Sequence, residues 1–282
     1  MLYEHPGADT LDYLLCHYGH SKLAFRGPPR RLPRDYVCFV GGTETFGKFV
    51  SRPFPALVED LTGLTSLNLG SANAGLDSFV QDPTVIAMAR QARLVVLQLM
   101  GPQYLSNRLY TVHPRRNDRF LKANAPLRRL YPSVDFTEFA FVGHLLNRLR
   151  QVSRRKYRLV RDELQAVWAE RMELALRLFA RPVLLLWLQQ GADHPDLLSD
   201  EMVAGLESDR VDLVRIAPDR WVEAQGMNGM VFELAQTPAA EGCPSAACHR
   251  LVAQQLAPFV QHWQGAGGRR ARPEPNKDCT TG

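Results

Sequence analysis

The apolar residues along this chain switch between two kinds of pattern. Tyr36-Val37-Cys38-Phe39-Val40 is an unbroken apolar run closed by Gly41-Gly42. Such a run fits a strand buried on both faces of a parallel sheet, since an edge strand with one wet face would alternate. Leu64–Leu69 ends in the same way at Gly70, and Leu94–Met100 ends at Gly101. Between them Phe54–Leu61 reads as helix. Asp82-Pro83 opens another helix, with a carboxylate at the cap and proline at the first helical position. Three successive strand–loop–helix units predict βαβ crossovers.

From about residue 115 to 180 the sequence becomes long, charged and helical. Phe136–Arg150 and Arg161–Phe179 carry apolar residues three and four apart, which predicts a helical insertion between the third and fourth strands. Val183–Leu188 resumes the sheet, Val211–Ile216 supplies a fifth strand, and Ser245–Trp263 forms an amphipathic terminal helix. Residues 1–34 are expected to hold a short helix around Leu11–Leu15 and then an irregular arm lying on the domain. The Gly-, Arg- and Pro-rich stretch 265–282 has little to bury and is expected to be disordered. The predicted fold is a three-layer α/β sandwich with a central parallel sheet, spanning 35–264.

Composition narrows the function classes. With 45% hydrophobic and 22% charged residues among 282, the chain is expected to be globular. The net charge of +5 gathers in 115–161 and 269–272, which suits an anionic ligand, an anionic surface or simply a solvated face. Aromatic interleaving in the basic segment is limited to Phe120, so no nucleic-acid partner is expected. The five cysteines are scattered without a CxxC pair, which argues against a disulfide framework and against zinc. No metal or cofactor is expected. The longest apolar run, Pro182–Leu188, is too short for a membrane span. With no secretory leader visible at the N-terminus, a cytoplasmic location is expected.

Ligands of open α/β sheets bind outside the carboxyl ends of the strands. The residues there are Thr43, Glu44 and Thr45 after the first strand, and Gly70, Asn73 and Gly75 after the second. Gln103, Ser106 and Asn107 follow the third, with His113 and the arginines Arg115, Arg116 and Arg119 beyond. Asp193-His194 follows the fourth. Thr43 and Thr45 suit a ligand role or a loop-capping role. Glu44 suits a general base or an ion pair. Arg115 and Arg116 suit an anion clamp or a solvated helix start.

Phe39-Val40-Gly41-Gly42-Thr43-Glu44-Thr45-Phe46-Gly47 resembles the first block of the SGNH/GDSL hydrolases, where a strand ends in Gly-Asp-Ser-x-Thr and the serine is the nucleophile. Asn68–Gly75 resembles their second block, whose glycine amide lines the oxyanion hole. Leu97–Gln103 stands where the third block carries Gly-x-Asn, and Gly242–Arg250 is similar to the last block, Asp-x-x-His-Pro. The likeness covers 35–107 closely and 182–263 loosely. It implies an SGNH/flavodoxin-like sheet. Thr43 stands in for the serine, Gly42 for the aspartate, Gln103 for the asparagine and Cys243 for the histidine. The whole chain also resembles an uncharacterised bacterial family with Gly-Gly-Thr-Glu-Thr and Asn-Ala-Gly motifs.

The resemblance implies an esterase or acyltransferase acting on a small-molecule, carbohydrate or lipid-like substrate. Thr43 would be its nucleophile, Gly70 and Gln103 its oxyanion donors, and His249 its base, with His194 as the alternative base. Glu44, Thr45, Asn73, Asn107, Arg115 and Arg116 would hold substrate. Two other readings remain open. One is a transferase for a nucleotide-activated anionic donor, such as a sulfotransferase or glycosyltransferase, with Gly41–Lys48 cradling phosphate. The other is a non-catalytic binding protein that has lost the triad. The helical insertion offers a surface for a homodimer.

Overall fold

The computed structural model describes residues 11–189, 197–217, 223–224 and 226–265. The strands are β1 (Val37–Gly41), β2 (Ser66–Gly70), β3 (Leu94–Gln98), β4 (Tyr110–Val112), β5 (Phe120–Ala123), β6 (Val183–Leu188) and β7 (Val211–Ile216). Five of them form one parallel sheet in the order β2-β1-β3-β6-β7, while β4 and β5 make a separate antiparallel hairpin. Within the large sheet this is the doubly wound order 2-1-3-4-5, whose ligand crevice lies where the order reverses. Here that point is between β1 and β3.

The alternating faces of the strands explain the layers. β1 sends Cys38 and Val40 to one face and Val37 and Phe39 to the other; β3 does the same with Val95 and Leu97 against Leu94 and Val96. The first face is covered by α3 (Leu76–Val80), α4 (Pro83–Gln91) and the second half of α7 (Arg154–Phe179). The second is covered by α2 (Phe54–Thr62) and the terminal helix Ala246–Gly265. Both faces are therefore dry, as the unbroken apolar strands require. Each fully buried large side chain contributes roughly 1.5–3 kcal/mol, and Cys16, Cys38, Cys243 and Cys248 are all buried.

The insertion has its own small core. Residues of β4, β5, α5 (Ala125–Leu130) and α6 (Val142–Val152) pack with Tyr157, Val160 and Leu164 of α7. Further along α7, Trp168, Met172, Ala175 and Phe179 enter the sheet core. One helix of 26 residues thus joins the insertion to the sheet, its apolar stripe recurring every three or four residues. Trp168 Nε1 fixes the junction by donating to the Met100 carbonyl at 2.9 Å.

Three local expectations are corrected. Residues 11–15 are not helical. Leu14 and Leu15 stay exposed at 52% and 60%, so their spacing covers no surface; the arm is instead held by the Cys16–Phe25 bridge and by burial of Leu23 and Phe25. The helix expected from Phe136 begins at Val142, and the one expected from Arg161 begins at Arg154 behind a Ser153 cap. The basic segment 113–119 is the loop of the β4–β5 hairpin rather than a helix start.

Candidate active site

β1 ends at Gly41 and the chain turns at once into α1 (Thr43–Phe46), a single turn stopped by Gly47 in the left-handed region (φ 76°). Across the switch point, Gln98 at the end of β3 wires this turn in place. Its Oε1 accepts from the Gly42 amide (3.1 Å), the Thr45 amide (3.3 Å) and the Thr45 hydroxyl (2.6 Å). Its Nε2 donates to Glu44 Oε2 at 2.7 Å. Gln98 and Thr45 are buried, and each such group left unpaired would cost on the order of 1–3 kcal/mol. A second clamp comes from the arm. The Arg26 guanidinium donates to the carbonyls of Gly47 (2.6 Å), Val50 (2.8 Å) and Ser51 (2.8 Å) just beyond the turn.

The β2 side is equally closed. Asn68 Nδ2 donates to the Thr45 carbonyl (2.9 Å), and Asn68 Oδ1 accepts from the Gly70 amide (2.8 Å). A side chain on Gly70 would fall on the backbone of Thr45 and Phe46, so glycine here is set by close approach. Thr43 is the exception on this turn. It is half-buried, and its Oγ1 accepts from the Asn73 amide at 2.9 Å. Among the described residues nothing accepts its own hydroxyl proton. Asn73 sits in the left-handed region (φ 60°), and its carbonyl accepts from the Asn117 amide (2.9 Å). Buried Asn117 then takes the Gly75 amide (2.5 Å) and the Ser78 hydroxyl (2.7 Å) on Oδ1. The hairpin loop is in this way docked on the loop after β2.

A family model described as a domain of unknown function, DUF6473, matches residues 1–264. The chain belongs to the DUF6473 family. No curated protein matches it. Among solved structures it is similar to a G-D-S-L family protein from Desulfitobacterium hafniense DCB-2, at 8% identity and a TM-score of 0.44, covering 80% of this chain and 99% of that one. It is also similar to the lipase Lip_vut3 from a goat rumen metagenome, at 13% identity and a TM-score of 0.41, covering 79% and 96%.

Of the residues singled out in this DUF6473 sequence, the fold gathers Thr43, Glu44 and Asn73 at the rim. Thr45 is there too, but buried on Gln98, so it is closed to substrate. The Gly70 amide is taken by Asn68 and is not offered as an oxyanion donor. Gln103 lies on the 3₁₀ turn Pro102–Tyr104 with its amide oxygen buried and unpartnered among the described residues. Asn107 shapes the approach to β4, its Oδ1 accepting from the Leu109 and Tyr110 amides; it is a turn residue rather than a ligand. Arg115 and Arg116 are exposed on the hairpin loop.

His249 does not fit the role of base. Its Nδ1 accepts from the Phe54 amide at 3.0 Å, its ring stacks on Phe54, and it is 1% exposed. Burial, helped by the Arg26 charge, pushes its pKa down to about 3, so it cannot collect a proton near neutrality. Cys243 is no substitute, because burial holds its thiol protonated, pushed up to about 11, with Glu44 adding to the shift. His194 lies outside the described residues. In the loop Gly41–Lys48, expected to cradle phosphate in the transferase reading, the Gly42 and Thr45 amides are already satisfied by Gln98. Among the described residues no cluster of His, Cys, Asp or Glu could hold a metal ion, and no helix is long and apolar enough to cross a membrane.

Sequence reasoning missed Gln98, Asn68, Arg26 and Asn117. Two of them carried a readable signal: Gln98 ends an otherwise apolar strand, Asn68 stands between the two leucines of β2, and a buried amide must find partners.

Proposed function

We propose that the rim between β1 and β3 is an acyl-transfer site that hydrolyses or transfers an ester group of a small-molecule, carbohydrate or lipid-like substrate. The observation that carries this reading is the state of Thr43 Oγ1. It is half-buried just beyond the carboxyl end of β1 and takes the Asn73 amide, while Thr45, Gln98, Asn68 and the Gly70 amide are committed to the fold. Thr43 Oγ bonds to the acyl carbon and the ester C–O bond breaks. The hydroxyl proton passes to the Glu44 carboxylate and on to the departing alkoxide. Water or a second alcohol then removes the acyl group by the reverse steps. Glu44 takes the place of His249 as base because it stands on the same turn, oriented by Gln98 Nε2. Gln103 supplies a side-chain amide to the developing oxyanion.

Treatment with a fluorophosphonate ester followed by peptide mapping tests this. Phosphonylation of Thr43, lost in Thr43→Val, is the expected result. Labelling at another residue, or none at all, would overturn it. One set of observations favours a second reading, a binding protein without turnover: the Gly70 amide is occupied and His249 is locked on Phe54. In that case the wild type stays unlabelled while ester ligands still raise its melting temperature.

A further inference from the structure

The hairpin loop between β4 and β5 has one feature that the acyl-transfer reading leaves unused. Residues 113–119 hold three arginines against one aspartate, and the loop's place is fixed by buried contacts. Asn117 N donates to the Asn73 carbonyl at 2.9 Å, and Asn73 N donates to Thr43 Oγ1 at 2.9 Å. Asn117 Nδ2 also donates to the His113 carbonyl (3.0 Å), and His113 Nδ1 accepts from the Arg115 and Arg116 amides at 3.3 and 3.2 Å. One residue, Asn73, therefore lies between the Thr43 hydroxyl and the arginine-bearing loop. Arg116 directly precedes Asn117 and Arg115 stands one residue before it, so both side chains branch from the segment that docks on Asn73.

The three arginines are not equivalent. Arg119 lies over the Phe141 ring at 5.1 Å and its Nε is buried, which makes it part of the loop's support. The guanidinium groups of Arg115 and Arg116 are exposed and make no hydrogen bond or close ion pair among the described residues; the Asp118 carboxyl pKa is raised by burial, a rise offset in part by the charges of Arg116, Arg119 and His113. Two exposed guanidiniums on a loop held by buried contacts, with a single carboxylate among them, are suited to an oxyacid group, because the planar fork binds phosphate or carboxylate in a bidentate way.

We infer that Arg115 and Arg116 form an anion subsite of the Thr43 rim, so that the preferred substrate is an ester carrying a phosphate or carboxylate group at a distance from the scissile bond. This rests on the acyl-transfer reading for the word substrate, whereas the subsite itself does not. Two measurements separate them. The first compares hydrolysis of neutral 4-nitrophenyl butyrate with that of the 4-nitrophenyl monoester of succinate, in the wild type and in Arg115→Gln/Arg116→Gln. The double variant is expected to raise KM for the charged ester about tenfold and to leave the neutral ester unchanged. The second titrates inorganic phosphate into both proteins by calorimetry, with about a tenfold weaker Kd expected in the variant.

If the neutral ester is not hydrolysed but phosphate binding depends on the arginines, the acyl-transfer reading fails and the subsite stands. If the neutral ester is hydrolysed, and neither the charged ester nor phosphate distinguishes the two proteins, the subsite is overturned and the acyl-transfer reading stands. Carboxylate recognition without phosphate recognition appears as an effect in the first measurement alone, and would narrow the ligand to carboxylate esters.

Discussion

Thr43 and Thr45 stand two residues apart on the same helical turn, and the fold uses them in opposite ways. Thr45 is 1% exposed and gives its proton to Gln98 at 2.6 Å. Thr43 is half-buried, receives a proton from the Asn73 amide and keeps its own. The first belongs to a closed network of Gln98, Asn68, Gly70 and Arg26 that holds the turn. The second opens onto a rim shared with Glu44 and the arginine loop. The difference teaches that position in a motif does not assign a role. The hydrogen-bond inventory of the neighbours does, because a committed group has no capacity left for a ligand.

The closed side should break first and hardest. Gly70→Ala places a methyl group on the backbone of Thr45 and Phe46, and an expected loss of about 3 kcal/mol or more would show in urea unfolding or as insoluble protein. Gln98→Leu abandons the Gly42 and Thr45 donors together with Glu44, for an expected loss of about 2–4 kcal/mol, read as a lower denaturation midpoint. His249 gives a pH signature. Its folded pKa near 3 lies below the ordinary 6.5, so the unfolded chain binds a proton that the folded chain refuses. Stability is therefore lost as pH falls from about 6.5 towards 3, by about 2 kcal/mol between pH 6 and 4.5. His249→Asn should be less stable at neutral pH but flatter across that window; an unchanged slope would remove His249 from the account. Thr45→Val should cost least on this side, about 1 kcal/mol.

The sheet was legible because its strands announce themselves. Apolar runs closed by glycine at Gly41 and Gly101, and a leucine-rich segment closed at Gly70, need no tertiary information, and Asp82-Pro83 marks its helix by local chemistry; Asp82 Oδ1 does accept from the Thr84 and Val85 amides. The β4–β5 hairpin was not legible. Its strands have three and four residues and are joined by a long loop without the Asn-Gly or Asp-Gly signal that reveals tight hairpins. At the site, Thr43, Glu44 and Asn73 follow from strand ends alone. The roles of Gln98 and Asn117 do not, since each bridges segments far apart in sequence, Gln98 to residues 42–45 and Asn117 to residues 73–78. His249 misled because a histidine near the last block fits a base by sequence, while its burial against Phe54 exists only in the folded chain.

The most direct test sets Thr43→Val beside Thr45→Val in hydrolysis of 4-nitrophenyl butyrate, with denaturation midpoints measured on the same samples. Thr43→Val is expected to lower kcat/KM by about a hundredfold or more with little loss of stability, Thr43→Ser to keep activity, and Thr45→Val to lose stability but stay within a few-fold of the wild-type rate. Hydrolysis by Thr43→Val at the wild-type rate, or a wild type no faster than buffer, would contradict the acyl-transfer reading.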